Sequence, residues 1–509
     1  MLRLTGLDSA FLALESPTTH LHVMGVLVLD PADVPGGLTF RKIRRLVADR
    51  VPAVPPFRQR LVDVALGLQH PVLVDDPDFD LDVHVRRHSL PTPGGRGELD
   101  ALVADLASRP LDRTRPLWEF HVVEGLAHGH LAVVAKVHHA IVDGMAGTEV
   151  LAAFVDLSPD PTPRPLFGAD RPPQRRREAP AGDGGATDPG DSGETGTAGW
   201  EPPPLPGEVD QLREALGALP GQFEAVGRSL ARTVQAALAL GERGRERPAT
   251  MVPSPFDAPA TSLNRAIGGR RRVATVDLPL ADIRRVGEVL GGTVNDVVLA
   301  VVAGGLRSFL AGRGEEPESS LVAMVPVSVR SEEDAGALGN RVAGSLVSLA
   351  TGVVDPAARL GRIRQGAAAA KEQARTGGGQ VLAAWADAVA PGLASQLSRL
   401  VTGLRLFDHI RPPCNVVVSN VPGPDVPLYL AGARLVSLHP IGPIAEGVGL
   451  NVTVFTYRDT VHVGLLGCWD LVPDIADLPE ALGSSLDELV AAADRQGRPV
   501  PWWHADLPA

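Results

Sequence analysis

Two adjacent histidines, His138 and His139, end the apolar run LAVVAKV, and Asp143 and Gly144 follow within the segment HHAIVDG. The run before the pair predicts a strand, in which successive side chains point to opposite faces. His139 continues the more apolar face and His138 the other. Because desolvation disfavours the charged imidazolium, an imidazole in an apolar channel stays neutral and can accept a proton. His139 is therefore the candidate general base, with His138 in support.

The turn after the histidines has two candidate positions of its own. Asp143 can cap the helix predicted to begin at MAGTEVLAAF or hold a cation, and Gly144 permits a tight turn. The histidine pair with Asp143 could also bind a metal. However, no Cys or Glu stands at ligand spacing and the pattern differs from H-E-x-x-H. We therefore predict no metal site.

The elements that must position these residues form two blocks around an insert. Residues 1–158 mix strand and helix patterns, such as HVMGVLVLD (22–30) and TFRKIRRLVADRV (39–51). Residues 159–207 hold 12 prolines and 9 glycines in 49 positions, which predicts a disordered linker. Residues 208–509 return to mixed α and β patterns. One predicted helix there carries an apolar stripe that we expect to face the core, formed by Leu393, Leu397, Leu400, Val401, Leu404 and Phe407.

Composition excludes several classes of protein. The net charge of −12 and the lack of a basic block argue against nucleic-acid binding. Cys414 and Cys468 form neither a metal pattern nor a disulfide framework, which favours a reducing compartment. The chain shows no signal-peptide pattern and no long uncharged apolar run, so we expect a cytoplasmic protein without a spanning helix.

At this point the sequence resembles the bacterial wax ester synthase/acyl-CoA:diacylglycerol acyltransferases. HHAIVDG (138–144) is similar to their HHxxxDG motif, which the wider CoA-dependent acyltransferases and peptide-synthetase condensation domains share. Further blocks in family order are LDSAFLALE (7–15), DDPDFDLDVHVRR (75–87), RPLWEFHVVEGL (115–126), GGTVNDVVLAVVAGGLR (291–307), VPVSVR (325–330), GNRVAGSLVSL (339–349) and SNVPGP (419–424). The resemblance covers nearly the whole chain except 159–207.

The resemblance implies a mixed α/β fold of two chloramphenicol-acetyltransferase-like lobes, with the active site in a tunnel between them. It also implies acyl transfer from acyl-CoA, as a co-substrate and not a bound cofactor, to the hydroxyl of diacylglycerol or a fatty alcohol. His139 would take the hydroxyl proton. No motif here separates the two acceptors.

The family blocks also suggest supporting residues. Asn295, Ser328 and backbone N–H groups near Gly144 are candidates to stabilise the oxyanion of the tetrahedral intermediate. Asn295 can equally be a helix N-cap and Ser328 a plain strand hydroxyl. Asp143 is expected to orient the turn, paired with Arg330 or Arg341.

Two rival functions stay open at this stage. One is a condensation-type enzyme that uses carrier-bound acyl groups, and the other is a non-catalytic lipid-binding or lipid-droplet homologue. A peripheral position on the inner face of a membrane or on a lipid droplet is compatible with all three. Trp502 and Trp503 near the C-terminus would suit such an interface.

Overall fold

The computed structural model describes residues 2–63, 70–141, 151–160, 252–254, 256–328, 342–373 and 391–496. Of the predicted linker 159–207, only Pro159 and Asp160 are among them. Trp502 and Trp503 also lie outside the described residues.

The N-terminal block mixes strands and helices without strict alternation, as the sequence patterns indicate. Its helices are α1 (Gly6–Leu14), α2 (Phe40–Arg50), α3 (Leu81–His84) and α4 (Arg96–Ala107), and its strands are β1 (Leu2–Arg3), β2 (His22–Asp30), β3 (Gln59–Val62), β4 (Val72–Asp75), β5 (Val85–Ser89), β6 (Trp118–Glu124) and β7 (Leu131–His138). Thr5 begins α1 through a reciprocal capping box with Asp8. Helix α2 buries Ile43, Leu46 and Val47, the face that the 3.6-residue period predicts.

The second block also mixes helices and strands. Its helices are α5 (Leu280–Leu290), α6 (Val294–Gly312), α7 (Pro356–Gln373), α8 (Pro391–Gly403) and α9 (Leu478–Gln496), and its strands are β8 (Arg271–Pro279), β9 (Val322–Ser328), β10 (Val342–Ser348), β11 (Val416–Pro422), β12 (Tyr429–Leu430), β13 (Ala433–Ile441), β14 (Leu450–Tyr457) and β15 (Thr460–Cys468).

The molecule contains two six-stranded sheets, and a segment of the second block returns to pair with the first sheet. The first sheet has the order β12-β13-β2-β7-β6-β5, and the second has the order β10-β9-β11-β14-β15-β8. Strand β13 pairs antiparallel with β2, so residues 429–441 complete the sheet that carries the histidine pair. A third, three-stranded sheet has the order β1-β4-β3, and all its strands belong to the N-terminal block.

Helix α6 is the central helix of the second lobe. It is long and apolar enough to cross a membrane, yet 72% of its most apolar window is buried inside the fold. Gly304 and Gly305 let α9 approach closely, because a Cβ on Gly304 would lie 2.1 Å from Ser485 Oγ and one on Gly305 would lie 2.7 Å from Leu482 Cδ2. Among the described residues, no other helix passes this length and hydropathy test.

Helix α4 joins the two sheets. Its buried residues Leu99, Val103 and Leu106 share one hydrophobic cluster with Val134 of the first sheet and Leu466 of the second. The lobes therefore share a core.

The apolar stripe on α8 differs from its prediction. Leu400 is 55% exposed and Leu404, just beyond the helix, is 57% exposed, so these members of the stripe are not core. Helical spacing identifies an apolar face but does not say what covers it. The side chains of Leu393 and Leu397 lie outside the described set.

Candidate active site

The histidine pair is held by both neighbours of β7. His138 lies opposite His22 of β2, and the backbone N–H of His138 donates to the carbonyl of Leu117 at 3.0 Å. The N–H of His139 donates to the carbonyl of Leu21 at 2.8 Å. Because backbone bonds reach both flanking strands, the two imidazoles leave the sheet in fixed and opposite directions.

His138 is an anchor and not an accessible base. Its side chain is 1% exposed, and its Nδ1 accepts the N–H of Ala140 at 3.0 Å. That bond assigns the proton to Nε2, which lies 3.1 Å from Glu15 Oε1. Nδ1 therefore accepts a hydrogen bond and Nε2 lies in close polar contact with the Glu15 carboxylate, so this buried ring is poorly placed to take a proton from a substrate.

Glu15 is a functional candidate that the sequence reasoning missed. It lies at the C-terminal end of α1, and its Oε2 accepts Arg113 Nη2 at 2.7 Å and Nε at 2.9 Å. Burial by itself raises the pKa of Glu15, but its contacts with His138 and with the Arg113 guanidinium outweigh it and lower that pKa to about 2. Glu15 is thus a fixed anion beneath His138. The only signal in the sequence is its place at the end of the block LDSAFLALE.

His139 is the more exposed member of the pair. It is partly exposed, and its ring stacks on Phe11 at a centroid distance of 4.2 Å and an interplanar angle of 19°. Phe11 belongs to α1, the helix that ends at Glu15. One helix therefore supplies both the wall behind His139 and the acceptor for His138.

A buried lysine lies behind the pair. Lys136 is fully buried and donates to the carbonyls of Leu106 at 3.0 Å and Arg109 at 2.6 Å, where the carbonyl end of α4 favours a cation. Burial lowers the pKa of Lys136 to about 8. Burial, followed by the charge of Lys136, also holds the pKa of His22 well below its usual range. His22 is therefore neutral.

Asn295 does not cap its helix. The N-cap of α6 is Thr293, whose hydroxyl accepts the N–H of Asp296 while Asp296 accepts the N–H of Thr293 at 2.8 Å. The cap alternative for Asn295 was therefore wrong. Its Oδ1 lies 3.4 Å from Nδ2 of Asn420, which belongs to the block SNVPGP on β11.

The other predicted site residues are only partly described. Ser328 ends β9 opposite Val342 of β10, which gives its backbone position and not that of its hydroxyl. Asp143, Gly144, Arg330 and Arg341 lie outside the described residues. Trp118, in the family block RPLWEFHVVEGL but not a predicted site residue, is fully buried and its indole N–H donates to the carbonyl of Phe57 at 2.9 Å, so it packs in the core of the first lobe.

One group in the described part of the chain has ligand atoms close enough for a metal, namely Asp277, His439 and His462. Asp277 Oδ1 accepts His462 Nδ1 at 2.6 Å and His439 Nε2 at 2.8 Å, and Arg96 of α4 binds the other carboxylate oxygen. The arginine already supplies the positive charge that a cation would bring. We interpret the group as an ion-pair junction between the lobes.

The fold and the histidine pair together define a two-lobed acyltransferase. The model of the wax ester synthase/diacylglycerol acyltransferase catalytic domain matches residues 4–298, and that of the WS/DGAT C-terminal domain matches residues 338–490. The chain belongs to the wax ester synthase/diacylglycerol acyltransferase family.

Relatives and solved structures agree with this assignment. Two Mycobacterium tuberculosis (strain H37Rv) proteins, each named provisionally as a diacylglycerol O-acyltransferase, are 36% identical; the matches cover 97% of this chain and 91% and 98% of theirs. The wax ester synthase/diacylglycerol acyltransferase of Marinobacter aquaeolei VT8 is similar at a TM-score of 0.63 and 30% identity, over 97% of this chain and 100% of that one.

A more distant structure shows the fold alone. The starter condensation domain of rhizomide synthetase matches at a TM-score of 0.51 and 12% identity, over 97% of this chain and 94% of that one. The predicted two-lobed mixed α/β fold and the assignment as an acyltransferase enzyme are confirmed.

Proposed function

We propose that the enzyme transfers a long acyl group from acyl-CoA to the hydroxyl of diacylglycerol, giving triacylglycerol, with fatty alcohols as second acceptors. The observation that carries the proposal is the difference between the surroundings of His138 and His139. His138 is anchored to Glu15, while His139 stands partly exposed against Phe11. A thioester is already activated, so the weak partner is the alcohol, and one accessible neutral imidazole is the group that it needs.

In the proposed reaction His139 takes the hydroxyl proton as the oxygen attacks the thioester carbonyl. General base catalysis of this kind contributes roughly 10²–10⁴ in rate. The tetrahedral intermediate then collapses with cleavage of the C–S bond. The imidazolium returns the proton to the CoA thiolate, so the enzyme ends the cycle unchanged. Asn295, with Asn420 beside it, and Ser328 stay candidates for stabilising the oxyanion.

A product assay on the full chain tests the proposal. Palmitoyl-CoA is offered with diacylglycerol or with hexadecanol, and esters and free CoA are measured for wild type, His139→Ala and His130→Ala. His130 is a matched control, since it is also partly exposed and lies in the same lobe. We expect triacylglycerol from wild type and His130→Ala and a loss of about 10² or more in His139→Ala.

Other results would support a different function for the protein. Wax ester alone would retain the mechanism and change the acceptor. Product formed only from a carrier-bound acyl group would favour the condensation reading. Lipid binding without CoA release or ester in any variant would favour a lipid-binding homologue.

We also propose that the enzyme works at a lipid surface. Four large apolar side chains are about half exposed around α8 and the end of α1, namely Leu14, Leu400, Leu404 and Ile410. The two helices touch, because Ser398 Oγ donates to the carbonyl of Leu14 at 3.2 Å. This patch therefore adjoins the helix that carries Phe11. A cluster of exposed apolar residues is typical of an interaction site.

The charges beside this patch support an anionic lipid surface as the partner. Arg399 and Arg405 are exposed there, within a chain whose net charge is −12. Arg405 pairs with Asp408 at 2.7 Å, so Arg399 is the basic group that supports this partner. Co-sedimentation with vesicles of neutral and of anionic phospholipid tests the idea. Leu400→Ser/Leu404→Ser should reduce binding to both, whereas Val354→Ser, at another exposed apolar position, should not. Equal binding by both variants would exclude this surface.

A further inference from the structure

The segment between α1 and β2, residues 15–21, contacts both histidines of the pair, and we name it the α1–β2 loop. Glu15 at its start lies 3.1 Å from His138 Nε2, and the carbonyl of Leu21 at its end accepts the backbone N–H of His139 at 2.8 Å. The two ends are joined, because the N–H of Leu21 donates to Glu15 Oε1 at 3.3 Å. A shift of this loop therefore changes the surroundings of both imidazoles.

The middle of the α1–β2 loop is a turn closed by its own hydrogen bonds. The backbones of Ser16 and Thr19 exchange two of them, at 3.1 and 3.2 Å. Ser16 Oγ also accepts the N–H of Thr18 at 3.3 Å and that of Thr19 at 3.1 Å. A turn closed in this way moves as a unit. A constraint on Thr18 is therefore passed on to Glu15 and Leu21.

Two groups of opposite charge from the second block contact Thr18. The guanidinium of Arg271, at the start of β8, donates through Nη2 to the carbonyl of Thr18. The carboxylate of Glu446, between β13 and β14, accepts the Thr18 hydroxyl with Oε1 at 2.7 Å. Both bonds include a charged partner and are stronger than bonds between neutral groups. Together they fix the main chain and the side chain of Thr18.

Arg271 is itself held in one position. It is 2% exposed, and its Nη1 donates to the carbonyls of Gly268 at 2.5 Å and Arg270 at 3.2 Å. Its backbone N–H donates to Ser108 Oγ at 2.8 Å, at the C-terminal end of α4. Burial lowers the pKa of Arg271 to about 10, so the group is charged at pH 7. Because a buried charge needs hydrogen-bond partners, the Thr18 carbonyl is part of what stabilises this guanidinium.

Glu446 and the backbone beside it complete the contact. Glu446 Oε2 accepts the N–H of Ile267 at 3.3 Å, so one carboxylate joins the α1–β2 loop to the segment before β8. The two segments lie close together, since a Cβ on Gly269 would lie 3.3 Å from the carbonyl oxygen of Pro17. The second block therefore holds the loop through both packing and charged hydrogen bonds.

We propose that Arg271 and Glu446 are positioning residues, which hold the α1–β2 loop and through it fix the orientation of His138 and His139. These two residues and Thr18 are named the Thr18 clamp. The inference rests on the proposed function only in taking His139 as the base. Neither charged residue takes part in the proton transfer. The clamp makes the geometry of a histidine pair in the first block depend on its contact with the second block.

Substitutions within the clamp test the proposal. Arg271→Met and Glu446→Ala remove the charged partners, whereas Arg271→Lys and Glu446→Gln retain a donor and an acceptor. Thr18→Val removes the hydroxyl that Glu446 binds. The matched control is Arg359→Met, because Arg359 is 1% exposed and also donates to two backbone carbonyls, just before α7. Thermal unfolding is measured for every variant, so that a folding defect is recognised.

Steady-state kinetics separate positioning from a general loss of stability. Ester formation from palmitoyl-CoA is measured with diacylglycerol and with hexadecanol. We expect kcat to fall about tenfold in Arg271→Met and Glu446→Ala with KM for palmitoyl-CoA unchanged, because misplacement of the base slows the chemical step. Arg271→Lys and Glu446→Gln should recover most of that loss. Arg359→Met should lower the Tm and leave kcat unchanged.

A double variant tests whether Thr18 and Glu446 act together. Thr18→Val and Glu446→Ala remove the same hydrogen bond from its two ends. The loss of kcat in the double variant should therefore be smaller than the product of the two single losses. Independent losses that multiply would exclude this contact as the route.

Chemical labelling observes the histidines without the reaction. Diethyl pyrocarbonate modifies neutral imidazoles, and fragment ions of the mapped peptide distinguish His138 from His139. His138 is 1% exposed and should be protected in wild type. We expect its labelling at pH 7 to rise severalfold in Arg271→Met and Glu446→Ala, with that of His130 unchanged.

The outcomes distinguish the clamp from the proposed function. Unchanged kcat in the folded variants, an equal loss in Arg359→Met, or a lower kcat with unchanged labelling of both histidines overturns the clamp. If the Met and Ala variants do not fold, unchanged kcat in Thr18→Val overturns it. Increased labelling of His138, together with ester formation that survives in His139→Ala, overturns the role of His139 as base and retains the clamp.

Discussion

Replacing Glu15 by glutamine tests the anchor beneath His138 most directly. The substitution keeps the shape of the side chain and removes its charge. The pKa of Glu15 falls from 4.5 to about 2 on folding, and each pKa unit corresponds to about 1.4 kcal/mol. The side chain is 13% exposed, so water screens it little. We expect Glu15→Gln to lose about 2–3 kcal/mol of stability at pH 7.

The dependence on pH follows from the direction of the shift. A carboxylate whose pKa is lowered in the folded state stabilises the protein above its unfolded pKa and loses that contribution as pH falls. The difference between wild type and Glu15→Gln should be the same at pH 7 and at pH 5. It should shrink by about 1 kcal/mol at pH 4.

Urea unfolding at the three pH values measures this difference, with Glu288→Gln as the control for removal of an exposed carboxylate. Activity at pH 7 is measured in parallel. We expect kcat to fall about tenfold, because His138 retains a neutral acceptor but loses a charge-assisted one. A stability difference that does not change down to pH 4 would refute an ionised Glu15. Unchanged kcat with lowered stability would make the residue purely structural.

Three further predictions concern groups away from the histidine pair. Burial lowers the pKa of His439 in the folded state, so the unfolded chain binds a proton more readily below about pH 6.5. The Tm of wild type should therefore fall between pH 7 and pH 5 by more than the Tm of His439→Gln. Burial raises the pKa of Asp100 to about 7, which removes stability as pH rises from 3.8 to 7, so Asp100→Asn should raise the Tm at pH 8 and not at pH 4. Burial raises the pKa of the Cys414 thiol to about 11, so a thiol reagent at pH 8 should modify it only after addition of denaturant, as peptide mapping would show. Constant Tm differences across pH, or rapid labelling of the native thiol, would contradict these predictions.

Local periodicity predicted the features that depend on neighbours in the chain. The strand before the histidine pair, its two faces and the buried face of α2 all follow from side-chain periods. Leu131 and Val133 lie in one hydrophobic cluster and Ala132 and Val134 in another, as alternation requires.

Features that depend on distant segments could not be read from those periods. Arg113 meets Glu15 across 98 residues of sequence, and neither residue has a local pattern that indicates the other. The crossing of β13 to pair with β2 is likewise a property of the assembled sheets. The period on α8 gave an apolar face correctly, but only packing decides whether that face is core or surface.

The adjacency of the two histidines has a geometric explanation. Consecutive residues at the end of a strand point to opposite faces, so a pair directs its two imidazoles to opposite faces of the sheet. His138 is buried and lies 3.1 Å from Glu15, whose charge Arg113 balances. The ring of His139 stacks on Phe11 and is more exposed than that of His138. A single histidine at the end of this strand could lie on only one of the two faces, so it could not both contact Glu15 and stack on Phe11.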